Sequence, residues 1–229
     1  MANRPIFKPS RSDQLVDIIN LEFQWYAGFS VSQKQKSIAD MHRVAVERRV
    51  CLRPLEISSK SEIELGNALS AFNLKIRLSD DKITTLENVF QAAKIFERGG
   101  PFKDLLDCTP IEAKRDTRLK ESGDLVAFQG KSRKWPTEPK TAFYDWIYAN
   151  AVSRQPDLFN ALLEYDAFTD IEFNPAKSFN CQARSAALLV WLNRTNNMGA
   201  LDDSEAFLSL YQKHSEIDDS TPKVQKTLI

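Results

Sequence analysis

Thr85-Leu86-Glu87-Asn88-Val89-Phe90-Gln91-Ala92-Ala93-Lys94 is the most informative stretch of the chain. Residues four and seven apart share a helix face, so Glu87, Gln91 and Lys94 form a polar stripe beside an apolar one of Leu86, Val89, Phe90 and Ala93. The spacing predicts a helix over residues 85–96, with Thr84 or Thr85 as its cap and Gly99-Gly100 as its stop. Glu87 and Lys94 fall at the rim of the apolar stripe, where desolvation shifts the pKa of a carboxylate or an amine. An ordinary amphipathic helix with a solvated polar face has the same spacing.

Outward from there, Leu69–Leu78 and Leu52–Ser59 read as extended, and Leu15–Trp25 as a strand. Ser30 to about Arg49 reads as a helix with Ile38, Met41, Ala45 and Val46 inward and Lys34, Lys36, Arg43, Arg48 and Arg49 outward. Downstream, Thr109-Pro110 opens a helix towards Leu119, with proline at the first helical position. Leu125–Gln129 is a short strand. Helices follow over residues 137–153, 156–163 and 204–214, and Ala183–Asn193 is apolar nearly all round, as a buried helix is. Residues 218–229 are polar and read as a loose tail. The expected architecture is α+β: a mainly helical single domain over residues 1–215 with a small sheet.

Composition removes several chemistries. The chain has 229 residues, 31 Lys+Arg and 31 Asp+Glu, so a nucleic-acid partner has to be gripped locally rather than by a general positive field. No apolar run is long enough for a bilayer and the N-terminus lacks a signal-peptide core, so a cytoplasmic protein without a membrane partner is expected. Three separated cysteines give neither a disulfide framework nor a zinc knuckle. Two histidines, His42 and His214, exclude a histidine-rich metal site, and the seven glycines form no phosphate-cradling loop. Chemistry is left to Glu, Asp, Lys and amides, with no metal or cofactor implied.

The runs LSAFN (Leu69–Asn73), TLENVFQAAK (Thr85–Lys94) and TPIEAKRDTR (Thr109–Arg118) together resemble the signature of the NADAR, or YbiA-like, superfamily. The resemblance extends over about residues 50–194, through Trp135, Pro156–Pro175 and Asn180-Cys181-Gln182-Ala183. Residues 28–38 and 56–61 resemble the DarT1-associated NADAR antitoxins, which makes residues 1–49 a family-specific extension. Asn88 stands where the family has His, Ala71 where it has Asn, and Asp170–Phe173 lacks its Trp-Gly.

The resemblance implies removal of ADP-ribose from guanine bases in DNA, opposing a DarT1-type toxin. It implies Lys94 as a Schiff-base nucleophile and Glu87 as acid/base, with a pyrophosphate-binding lysine as the competing role. A YbiA-type N-glycosidase of riboflavin intermediates, and a non-catalytic antitoxin that binds toxin or ADP-ribose, are the alternatives. Around the pair, Ser70, Phe72 and Asn73 lie in the stretch expected to hold the nucleotide, although Asn73 serves equally to end a strand. Gln91 either fixes a ribose hydroxyl or faces solvent. Arg115, in a basic turn with Lys114, Arg118 and Lys120, meets phosphate or water. Trp135 stacks on a base or packs in the core. Asp170 is a second acid or a ribose anchor, and Asn180 caps a helix or touches ligand. Arg184, on an apolar helix, requires an acid or a phosphate as partner.

Overall fold

The computed structural model describes residues 1–176 and 178–215. The chain opens with strand β1 (Ala2–Pro9), paired antiparallel along its whole length with β2 (Val16–Phe23). β1 has no forerunner in the sequence reading because Pro5 and Pro9 demote it. Its partnership with the far edge is confined to Phe7↔Phe168, between the two prolines, so neither missing N–H interrupts that pairing.

Helix α1 (Val31–Glu47) starts at Ser30, whose hydroxyl accepts from the Gln33 amide, as the cap reading expects. Its buried side carries Ile38, Met41, Val44 and Ala45. Val46 is instead 43% exposed and Val44 takes the inner place, a shift of the helix phase by about half a turn at its end. β3 (Pro54–Glu56) is followed by α2 (Glu64–Ala68), which lies just ahead of the expected strand. Leu69–Asn73 is a turn, and only β4 (Lys75–Arg77) is extended, paired with β5 (Ile83–Thr85).

The decisive helix is shorter than its periodicity implies. Thr85 caps α3 (Leu86–Ala92), and the chain then turns into β6 (Lys94–Phe96). Ile95 and Phe96 are good strand residues, and their ladder to β7 (Leu125–Gln129), together with the Gln129 amide on the Ala93 carbonyl at 2.7 Å, outweighs one more helical turn. Between them, α4 (Pro110–Arg115) has the full capping box of Thr109 and Glu112. Asp116 leaves helical geometry before α5 (Arg118–Glu121), so the single helix expected towards Leu119 is two. β8 (Lys134–Trp135) completes the β6-β7-β8 sheet.

The C-terminal half supplies α6 (Ala142–Ser153), five residues shorter at its start than expected, α7 (Pro156–Leu162) and β9 (Ala167–Thr169). α8 (Gln182–Arg194) and α9 (Ser204–Ser215) follow. The expected tail lies outside the described residues. The main sheet has the order β2-β1-β9-β3, with β3 and β9 parallel. Alternation along each strand feeds two cores. Ile6, Leu21, Phe23 and Ala167 pack with the apolar side of α1, while Phe7, Leu55 and Phe168 pack with α6 and α8. The result is a single α+β domain: a small sheet between α1 and the α6–α8 pair.

Candidate active site

The site forms where three connections meet at the Leu69–Asn73 turn. The Ala71 carbonyl accepts the Glu87 amide at 3.0 Å, which fixes the first turn of α3. The Ala71 amide donates to Gln182 Oε1 at 2.6 Å, and Gln182 Nε2 donates to the Ile57 carbonyl at 2.6 Å. The start of α8, the segment after β3 and the start of α3 are thereby tied to one turn.

Along α3 the expected polar stripe exists, but it is buried rather than solvated. Glu87 and Gln91 are each 6% exposed. Gln91 Nε2 donates to Glu87 Oε1 at 2.8 Å, and Lys94 Nζ donates to Gln91 Oε1 at 2.7 Å. Gln91 is therefore neither a solvent-facing amide nor a free one: it is the bridge between carboxylate and amine. Lys94 lies on β6 rather than on the helix, and still reaches back one turn. Its ammonium sits 4.7 Å from the centroid of Phe90.

Burial pulls the Lys94 pKa down to about 8; Glu87 opposes the fall and Lys114 adds to it. Phe72, half-buried, has the Lys114 ammonium 5.1 Å from its ring, so both belong to the mouth beside Lys94. The lowered pKa has a stability consequence. Between about 8 and 10.5 the unfolded chain holds a proton that the folded chain has released, so stability rises with pH across that window and the full cost of burying the ammonium is present below it. Lys94→Met is expected to stabilise the fold at pH 7 by on the order of 2 to 3 kcal/mol, with no gain left at pH 11, as urea titrations at the two pH values would read.

A second acidic centre lies at the end of β9. Glu56 Oε2 accepts from Thr169 Oγ1 at 2.6 Å and its Oε1 from the Ile171 amide at 2.8 Å. Because the Thr169 hydrogen goes to Glu56, the 2.8 Å contact from His42 Nε2 to Thr169 Oγ1 is donated by the imidazole, which burial keeps neutral by pushing its pKa down to about 4. Burial raises both Glu56 and the neighbouring Asp170, and the Glu56 charge raises Asp170 further, to about 8. The donors on Glu56 favour its charged form, so of the two acids it is Asp170 that keeps a proton near neutral pH. Tyr144, from α6, is within electrostatic reach of both Glu87 and Asp170, and burial holds its phenol neutral. Asn180 Oδ1 is buried with no hydrogen-bond partner among the described residues, an acceptor that a bound hydroxyl or amine can satisfy.

Other expected contacts resolve into structure. Ser70 donates to the Asn67 carbonyl at 2.7 Å, and Asn73 donates to Asn67 Oδ1 at 2.6 Å, so both close the turn rather than hold a ligand. Trp135 is core: it packs on Phe143, Trp146 and Phe207 and is 3% exposed, leaving no face for a base. Arg184 takes an acid as partner, Asp145 on α6, and not a phosphate. Arg115 is exposed and makes no ion pair among the described residues. Asn88, which departs from the family pattern, faces away from Glu87 and donates to the Leu105 and Cys108 carbonyls at 2.7 and 2.8 Å. The sequence reading missed Glu56, Tyr144 and Gln182. Glu56 carried a signal, an acid in an otherwise apolar strand; Tyr144 and Gln182 carried none without the fold.

A family model of DarT1-associated NADAR antitoxins matches residues 2–221. The chain belongs to that family. The match begins at β1, so the hairpin and α1 are part of what defines the antitoxin rather than an appendage to it. Among curated proteins no match is found. An antitoxin of this family has a toxin of the DarT1 kind as its counterpart. Among the described residues no helix of the antitoxin is long and apolar enough to cross a membrane, and no three His, Cys, Asp or Glu side chains converge as metal ligands.

Proposed function

We propose that the antitoxin is a glycohydrolase that removes ADP-ribose from guanine in DNA, with Lys94 as nucleophile and Glu87 as proton shuttle. The observation that carries this reading is the Glu87–Gln91–Lys94 chain: a half-buried amine, pKa about 8, held by an amide that a buried carboxylate anchors. A structural lysine gains nothing from such a setting, whereas a nucleophilic one needs its free-base form near neutral pH.

In the proposed reaction the Lys94 nitrogen attacks C1 of the ribose attached to guanine. The bond from C1 to the guanine nitrogen breaks, and its electron pair leaves with the base. Glu87 takes the proton released by the lysine nitrogen and passes it to the departing guanine nitrogen. The ribose ring then opens, its oxygen taking a proton from solvent that hydrolysis later returns, and C1 remains as a protonated imine on Lys94. Water adds at C1, the C–N bond to lysine breaks, and ADP-ribose leaves with the amine restored. Asp170 as a neutral acid, Tyr144 and the unpartnered Asn180 Oδ1 are suited to the sugar hydroxyls.

The test is direct. Purified antitoxin is incubated with an oligonucleotide ADP-ribosylated on guanine, and free ADP-ribose and the unmodified strand are followed together. Stoichiometric appearance of both, and neither with Lys94→Ala, is the expected result. Tight binding of the oligonucleotide or of the toxin without any release overturns the enzymatic reading.

A further inference from the structure

The far end of the sheet from Glu87 and Lys94 holds a cavity of about 240 Å³. It opens where β1 ends, β9 begins and α8 finishes, so the length of α8, about 18 Å from Gln182 to Arg194, separates it from the site already described. Lys8, Arg11, Arg49 and Arg194 line it, with Asp17 and Asp166 as the only acids. Neither acid is ion-paired among the described residues, and the four cations outnumber them. Asp17 accepts from Ser10 Oγ at 2.6 Å, and both Asp166 oxygens accept main-chain amides of Leu52 and Arg53. Lys8, opposite Asp17 across the β1–β2 pair, donates to the Val50 carbonyl and has no ion pair among the described residues. Arg11, Arg49 and Arg194 have no ion pair and no side-chain hydrogen bond among the described residues, so three guanidinium groups around one cavity are open to a ligand.

Arg49 is held there against a backbone preference. It sits just past the C-cap of α1 with φ +57°, the left-handed place that glycine normally takes, and its amide closes onto the Val46 carbonyl at 2.9 Å. An arginine at this position gives up conformational ease and places a guanidinium at the rim of the cavity.

We propose that this cavity binds a phosphate of a nucleic-acid backbone, anchoring the strand whose modified base enters the site at the other end of α8. This rests on the glycohydrolase reading for its choice of strand. Planar guanidinium groups from three separate elements suit the oxygens of one phosphodiester. A separation of about 18 Å exceeds one nucleotide step several times over, so the anchor lies on flanking sequence and not on the modified nucleotide. A chain of zero net charge thereby grips a polyanion at one place.

The experiment compares the full-length protein with an Arg11→Gln/Arg49→Gly/Arg194→Gln variant. Arg49→Gly removes strain and the other two positions are exposed, so the variant folds. Each is titrated with an unmodified single-stranded oligonucleotide across a salt series, and separately with inorganic phosphate in a thermal-shift assay. Expected is a loss of about tenfold or more in oligonucleotide affinity and a salt dependence shallower by about one phosphate contact. Equal affinity and slope overturn the proposal. So does a variant that loses only protection by inorganic phosphate, which marks a free-anion site. Because this readout uses unmodified DNA, failure of ADP-ribose release leaves it intact. Conversely, the variant retains wild-type release from an ADP-ribosylated guanine mononucleotide if only the anchor is lost.

Discussion

On the proposed mechanism, Lys94→Ala is expected to lower the rate of ADP-ribose release by on the order of 10⁴-fold in a protein that still unfolds cooperatively. The covalent role makes two further results follow. Borohydride added during turnover reduces the imine to a secondary amine, leaving an ADP-ribose-sized adduct on the Lys94 peptide of the wild type and none on the variant. The pH profile carries the sign. With a pKa of about 8, the reactive free amine is the minor form below that value, so the rate climbs about tenfold per pH unit towards pH 8 and levels above it. A lysine that only binds pyrophosphate needs its charge, and its contribution falls as pH passes 8. A profile that declines above 8, with no adduct, assigns Lys94 to binding.

The second large effect is on stability. Asp145 is fully buried on α6 and receives Arg184, Ser185 Oγ at 2.5 Å and Tyr211 hydroxyl at 2.5 Å, so α6, α8 and α9 converge on one carboxylate. Removing the cation strands that charge in the core. Arg184→Met is expected to cost about 3 to 5 kcal/mol, and on the order of 10 °C in Tm for a chain of this size. Denaturant titration gives the first figure and calorimetry the second. A double replacement, Arg184→Met with Asp145→Leu, recovers much of the loss, because the cost lies in the unpaired charge more than in the missing bridge. A change below about 1 kcal/mol for Arg184→Met alone rejects the ion pair as a structural element.

The parts of the fold that were legible in the sequence are those where local chemistry and tertiary packing agree. Ser30, Thr85 and Thr109 cap helices as their spacing implies, and the all-apolar face of residues 183–193 is a buried helix. Where they disagree, the ladder or the core wins. Lys94 continues a helical pattern yet joins β6, and Pro5 and Pro9 disguise a strand whose pairing with β2 needs no donor from them on the other side. The site divides along similar lines. Glu87, Gln91 and Lys94 were readable because they lie within one helical stretch. Their burial was not, since it comes from elements far along the chain, and neither was the pairing of Glu56 with Asp170, more than a hundred residues apart.

The turn at Leu69–Asn73 bears on how far this family can drift. Ala71 holds the start of α3 through its carbonyl and the start of α8 through its amide, which donates to the Gln182 side chain, and the Ala71 side chain itself takes no part. A different side chain at that position leaves both of these contacts available, because Ala71 contributes only main-chain atoms to them. Divergence in a signature stretch of this kind measures lineage, and the retained spacing of main-chain contacts is the better guide to whether a distant relative still works.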